Sequence, residues 1–238
     1  MSGTENAHST ELLGMVRFFS RLGISRGFRG LYLAGELPET VAGKPVLFCP
    51  NHSNWWDGFI AAVIHPGLAG DREFGLLQEE EHLDRYAWFR RAGVLGIDLR
   101  SSRAALGGMR AALGYLARGD GGLWVFPQGV LLDAAEPVVC RPGASFLAKR
   151  AEAVVLPVGI RYSWMRESKP TIMVRIGDPL EKPEPAELSA AMTAVLEQID
   201  ADCRSENLSD YERVAGGSVS IHHYWDRLLE LVRGKAGD

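Results

Sequence analysis

The chain has 238 residues, of which 46% are hydrophobic and 24% charged. These are the proportions of an ordinary globular protein, and they exclude collagen-like, low-complexity and wholly disordered chains. Thirty acidic residues against 26 basic ones give a net charge of −4, the wrong sign for a general grip on nucleic acid phosphates.

Residues 1–10 are small and polar and read as a disordered tail. From 11 to 238 a single domain is expected, with no internal repeat and no domain break. Residues 11–33 open it as a membrane-proximal helical element. Leu12, Met15, Val16, Phe19 and Leu22 recur at helical steps, with Arg17 and Arg21 on the opposite face. Gly23, Gly27 and Gly30 place the helix end near Leu22. Two readings fit this pattern. In one the helix packs on its own domain with its arginines in solvent. In the other it lies on anionic lipid, with Arg26 and Arg29 adding charge.

Beyond residue 44, short apolar runs alternate with helical patterns. Strands are expected at Pro45–Cys49, Phe74–Leu77, Val94–Leu99, Leu123–Phe126, Ala153–Tyr162 and Thr171–Ile176. Helices are expected at Phe59–Ile64, stopped by Pro66, across EEEHLDRYAWFRR, and at Ser101–Arg118 and Pro142–Arg150. Two more follow the Pro-rich EKPEPAE, at Leu188–Cys203 and His222–Val232. This order implies an α/β fold, a mixed, mostly parallel sheet flanked by helices.

Cys49, Cys140 and Cys203 are odd in number and widely spaced, which argues against a disulfide framework or a zinc site and for a reducing compartment. The first residues lack a basic segment followed by an apolar one, and no run reaches the roughly 18 apolar residues of a spanning helix. A soluble or peripheral protein is expected.

Nucleophile elbow, P-loop, G-x-G-x-x-G and H-E-x-x-H motifs are all missing. What remains are polar residues at strand ends, where open α/β sheets build ligand sites. Asn51-His52-Ser53-Asn54-Trp55-Trp56-Asp57 follows the first of these strands. A loop folded back at the helix start would let Asp57 orient the His52 imidazole and leave its other nitrogen as a general base. The same residues also suit a plain loop histidine beside an Asp helix cap. Phe126-Pro127-Gln128-Gly129 is either a tight turn or a loop with an amide offered to a ligand. Arg100, closing Gly96-Ile97-Asp98-Leu99-Arg100, is a phosphate or carboxylate binder or a solvated surface residue.

Taken in order, these blocks resemble the glycerolipid acyltransferase superfamily, the one containing 1-acylglycerol-3-phosphate acyltransferases. Its N-H-x4-D, Gly…Arg, F-P-E-G and V-x-P-V blocks match Asn51-His52…Asp57, Gly96…Arg100, Phe126–Gly129 and Val155-Leu156-Pro157-Val158. Gly143-Ala144…Ala148 also looks like the family, and the likeness runs from about 44 to 162. The resemblance implies that His52, oriented by Asp57, is the base on an acceptor hydroxyl that attacks the thioester of acyl-CoA or acyl-carrier protein. It implies substrate contacts from Arg100, Phe126, Pro127, Gln128 and Gly129, and an acyl site lined or supported by Val155–Val158, including Pro157. It needs no metal or cofactor beyond the donor, and it favours a protein peripheral to the cytoplasmic face of a membrane.

One block departs from the family. Gln128 stands where Glu is usual, and Val130-Leu131-Leu132 replaces the usual Thr-Arg-Ser. The expected acceptor is therefore a lysophospholipid-type lipid or, given that loss of charge, a glycosylated or hydroxylated lipid without a phosphate ester. A non-catalytic membrane-binding homologue is the third reading. Trp55 and Trp56 could stack on a substrate but are better read as packing or membrane-interface residues. EEEHLD reads as a solvated helix start, and His222-His223 as no metal site.

Overall fold

The computed structural model describes residues 9–119 and 121–217. Among these residues nine strands form one sheet: β1 (Gly30–Ala34), β2 (Val46–Pro50), β3 (Glu73–Glu79), β4 (Val94–Ile97), β5 (Gly121–Val125), β6 (Val154–Ser163), β7 (Thr171–Ile176), β8 (Leu180–Glu181) and β9 (Glu212–Gly216). Their order is β4-β3-β5-β2-β6-β7-β1-β9, with β8 also on β6. Strands β2 to β6 are mutually parallel, while β7 and β8 run antiparallel to β6. The sheet is mixed and mostly parallel, as the alternation of elements predicts.

Helices α1 (Thr10–Gly27), α2 (Asp57–Ala69), α3 (Glu80–Arg85), α4 (Ser102–Leu116), α5 (Pro142–Ala151) and α6 (Pro185–Ser205) cover both faces. The central strands are apolar on both sides, as a doubly covered parallel sheet requires. Phe48, Leu156 and Val158 meet Ile24, Ile60 and Ile64 on the α1/α2 face. Leu47, Leu123 and Val155 meet Leu116, Leu147 and Leu188 on the other. Ile199 and Leu196 of α6 close over Met173 at the far end of that face.

The first helix departs most from expectation. Ser9 caps it, its Oγ accepting the Leu12 amide at 3.2 Å, so residues 9 and 10 are ordered structure and not tail. The helix then runs through Gly23 to Gly27. Gly23 is a contact glycine: an added Cβ there would lie 2.4 Å from the Trp56 ring. The expected helical element also stops short of 33, because Gly30–Ala34 is a strand between β7 and β9. Five residues cannot be recognised as a strand when a helical pattern runs straight into them. β8, of two residues, and β9, of five, carry no alternation that would mark them as strands.

Pro66 does not end α2, which continues to Ala69. Proline removes the N–H that would bond the carbonyl four residues back. That carbonyl belongs to Ala62, and it accepts the Arg17 Nε–H of α1 at 2.9 Å. Arg17 is thus a structural side chain between two helices, not a solvated one. The expected helix over residues 79–91 splits at Tyr86 into α3 and a 3-10 turn at Ala87–Ala92, which brings Phe89 against Phe59. The expected helix at His222–Val232 and the pair His222-His223 lie outside the described residues.

His65 of α2 is buried against the sheet. The Trp124 indole N–H donates to its Nδ1 at 3.0 Å, and its Nε2–H donates to the Arg72 carbonyl at 2.8 Å. Both ring positions suit a neutral imidazole, and burial pushes its pKa down to about 4. The unfolded chain binds this proton near 6.5, so the His65 contribution is complete above that value and declines as pH falls towards 4. The loss should approach about 3 kcal/mol. Urea midpoints from pH 7.5 to 4.5 should fall more steeply for the wild type than for His65→Gln. Parallel profiles would remove His65 as the acid-sensitive group.

Candidate active site

β2 and β5 are adjacent and parallel, so the loops that follow them emerge side by side at the carboxyl edge of the sheet. Asn51 fixes the first loop. Its Oδ1 accepts the Ile160 amide at 2.7 Å and its Nδ2 donates to the Ile160 carbonyl at 3.1 Å. The side-chain amide thereby extends the pairing of β2 with β6 beyond the last strand residue. The β5 loop holds the next residue, for Gln128 Oε1 accepts the His52 amide at 2.9 Å. The Leu132 amide donates to the His52 carbonyl at 3.0 Å.

Asp57 opens α2 and its side chain is 0% exposed. A buried carboxylate needs a full set of donors, and Asp57 has one. Oδ2 accepts His52 Nδ1–H at 2.9 Å and the amides of Ser53 and Asn54 at 2.8 and 2.9 Å. Oδ1 accepts the Tyr162 hydroxyl at 2.6 Å. The helix N-terminus adds its partial positive charge. With the imidazole proton on Nδ1, Nε2 carries the lone pair. The ring stacks on Phe126, centroid to centroid at 4.3 Å, and is 19% exposed. The loop therefore folds back as the spacing of His52 and Asp57 allows.

A cavity of about 290 Å³ opens beside this pair. Phe126, Pro127 and Gly129 border it near His52, and its walls are mostly apolar, with Phe59, Leu76 and Val94 on one side and Met109, Ala144 and Leu147 on another. Such a space suits a hydrocarbon chain better than a polar ligand. The two neighbouring tryptophans divide: Trp55 is exposed and borders the cavity, while Trp56 packs edge-on against Phe28.

The remaining sequence candidates scatter. Gln128 is buried, and its carbonyl oxygen serves the His52 amide instead of facing the cavity. Gly129 has φ +70°, where a side chain would be strained, and the Arg141 side chain lies close over it. Arg141, which no motif singled out, borders the cavity and makes no ion pair among the described residues. Arg100 is 87% exposed and held by Asp98, at 2.6 Å in the closest contact, in a recess shared with Glu79, Glu80, Glu81 and Asp84. Asp98 is held down to about 2, chiefly by its hydrogen bonds from Arg100. Pro157 is buried in β6, its carbonyl accepting the Gly177 amide at 2.8 Å. None of Val155–Val158 borders the cavity; these residues pair with β2 and so support the His52 loop from behind. Tyr162 was legible only as a strand residue. No group of three or more His, Cys, Asp and Glu side chains converges as metal ligands among the described residues.

The fold is α/β, with an apolar-lined cavity at the carboxyl edge of its sheet. A family model described as Acyltransferase matches residues 34–161, more than half of the chain and all four sequence blocks, and the chain belongs to that family. It shares its fold with the 1-acyl-sn-glycerophosphate (LPA) acyltransferase PlsC from Thermotoga maritima, with a TM-score of 0.58 over 80% of this chain and 79% of that one, at 17% identity. No curated relative matches the chain by sequence.

Because Gln128 is read as a clamp on the His52 loop, its two isosteres should differ. Gln128→Glu keeps an acceptor for the His52 amide and, compared near pH 5 where a buried carboxyl can stay protonated, should keep the fold's stability within about 1 kcal/mol. Gln128→Leu strands that amide and should cost about 1–3 kcal/mol by urea denaturation. Equal behaviour of the two variants would show that the clamp contributes nothing.

Proposed function

We propose that the protein transfers a fatty acyl group from a thioester donor, acyl-CoA or acyl-carrier protein, to the hydroxyl of a lysophospholipid-type acceptor. The observation that carries this reading is the His52–Asp57 pair at the mouth of an apolar cavity, in a chain of the Acyltransferase family. His52 Nε2 takes the proton of the acceptor hydroxyl as its oxygen attacks the thioester carbonyl carbon. Asp57 stabilises the imidazolium that forms. When the tetrahedral intermediate collapses, the carbon–sulfur bond breaks and the thiolate takes the proton back from His52. The products are an ester and a free thiol, and His52 is again neutral.

The acceptor's anionic group is assigned to Arg141. Arg100 is already neutralised by Asp98 and sits among further acids, which repel a phosphate. Arg141 borders the same cavity as His52 and has its guanidinium free of acidic partners among the described residues. The neutral Gln128 loop and the paired Arg100 favour a second reading, in which the acceptor hydroxyl belongs to a lipid without a phosphate ester.

Access to lipid comes through α1. Met15, Phe18 and Phe19 are 55%, 63% and 59% exposed, and their spacing sets them on one stripe of the helix. Exposed Trp55, Tyr86 and Trp88 add aromatic side chains of the kind enriched at bilayer interfaces. No described helix is long and apolar enough to cross a membrane. Peripheral attachment, at the cytoplasmic face, is the arrangement proposed.

Acceptor-dependent release of thiol from long-chain acyl-CoA tests the chemistry. His52→Ala should lower turnover by on the order of 10²–10⁴-fold without unfolding the protein, and Asp57→Asn should lower it severely. Full activity in His52→Ala would end the mechanism. Flotation with liposomes and no turnover with either donor class would favour a binding protein. For the acceptor, Arg141→Gln should raise KM for lysophosphatidic acid about tenfold or more, the loss of one charge-assisted contact, whereas Arg100→Gln should change it little. Turnover confined to glycosylated or hydroxylated lipids, indifferent to Arg141, would select the second reading.

A further inference from the structure

We propose that Tyr162 is a positioning residue for the His52–Asp57 pair, its hydroxyl holding the Asp57 carboxylate in the orientation and charge state that His52 requires. The inference rests on the function proposed above but concerns a residue outside its four sequence blocks.

The two oxygens of Asp57 are not equivalent. Oδ2 is shared by three donors, two of them backbone amides of its own loop. Oδ1 accepts from the Tyr162 hydroxyl at 2.6 Å. Tyr162 therefore fixes the rotation of the carboxylate about its last bond, and with it the direction in which Oδ2 meets the imidazole. It does so from a rigid place. Tyr162 lies in β6, in register with Ile172 of β7, and its ring packs on Phe28 at the end of α1. The same strand holds Asn51 through Ile160 two residues earlier, so one strand grips both ends of the loop that carries His52.

The hydroxyl can only donate here. Burial, and then the adjacent Asp57 charge, push its pKa well above the ordinary tyrosine value, so it keeps its proton near neutral pH. A neutral donor draws negative charge away from Asp57, so its loss should strengthen the pull of the carboxylate on the imidazole proton. Removing the hydroxyl should leave His52 holding its proton to higher pH and in a looser orientation. Among the described residues, the titratable groups bonded to Asp57 are His52 and Tyr162. The other titratable groups bordering the cavity among the described residues are Arg141, Glu79, His82 and Tyr86, and none of them is altered by the test.

Tyr162→Phe keeps the ring and its packing on Phe28 and removes one oxygen. In nitrogen-15 histidine NMR, the His52 titration should move up by about half a pH unit or more in Tyr162→Phe, while the melting temperature falls by only a few degrees. In thiol-release assays kcat should fall about tenfold with KM unchanged. The acidic limb of kcat/KM should follow the NMR shift, and Tyr162→Phe should cost nothing further in an Asp57→Asn background. An unmoved or lowered His52 titration overturns the proposal, as does an additive loss in the double variant. The NMR measurement needs no substrate: a raised His52 titration in a protein without thioester turnover would sustain the role of Tyr162 and reject the function.

Discussion

A carboxylate buried out of water organises this end of the molecule. Asp57 cannot stay at 0% exposure unless every lone pair direction it presents finds a donor, and the donors come from three places: its own loop, the His52 ring and strand β6. Meeting that demand folds the loop after β2 back onto the start of α2. The loop cannot then relax without stranding a charge in the core, a change that costs several kcal/mol in proteins generally. The imidazole is thus presented by a structure that is costly to deform.

The sheet supplies the frame for this arrangement. The parallel neighbours β5, β2 and β6 end at one edge. The loop after β5 clamps the main chain of His52 through Gln128 and stacks Phe126 on its ring. β6 holds Asn51 by its backbone and Asp57 by a side chain. The charge once expected of the Gly…Arg block is spent differently, in an exposed pair with Asp98. Arg141, at the N-cap of α5, borders the cavity and has no acidic partner among the described residues.

The central strands and most helices were legible because their signals are strong and local: apolar runs bounded by Gly or Pro, and helical periodicity over a dozen residues or more. The ends were not. Pro66 reads as a stop because its sequence cannot reveal Arg17, forty-nine positions earlier, reaching the carbonyl that proline leaves free. Gly23 reads as a stop because nothing in its neighbourhood announces the Trp56 ring. The His52–Asp57 contact was accessible from spacing, since both residues belong to one loop. Tyr162 was not, because it meets Asp57 only through the pairing of β6 with β2, and a tyrosine at a strand end has no pattern of its own. Pro157 and its neighbours were visible as a block, but their place behind the site could be learned only from register.

The first helix separates two apolar regions by its own thickness. Leu13 and Val16 face the cavity, while Met15, Phe18 and Phe19 point outward. Arg17, emerging between these stripes, is tied to α2 at the carbonyl freed by Pro66. The outer skin of the protein and the inner lining of its cavity are therefore opposite sides of a single turn of chain, riveted to the helix that begins with Asp57. Hydrophobicity on this helix is partitioned by depth, so a polar substitution at Val16 and one at Phe19, three residues apart, act on different compartments.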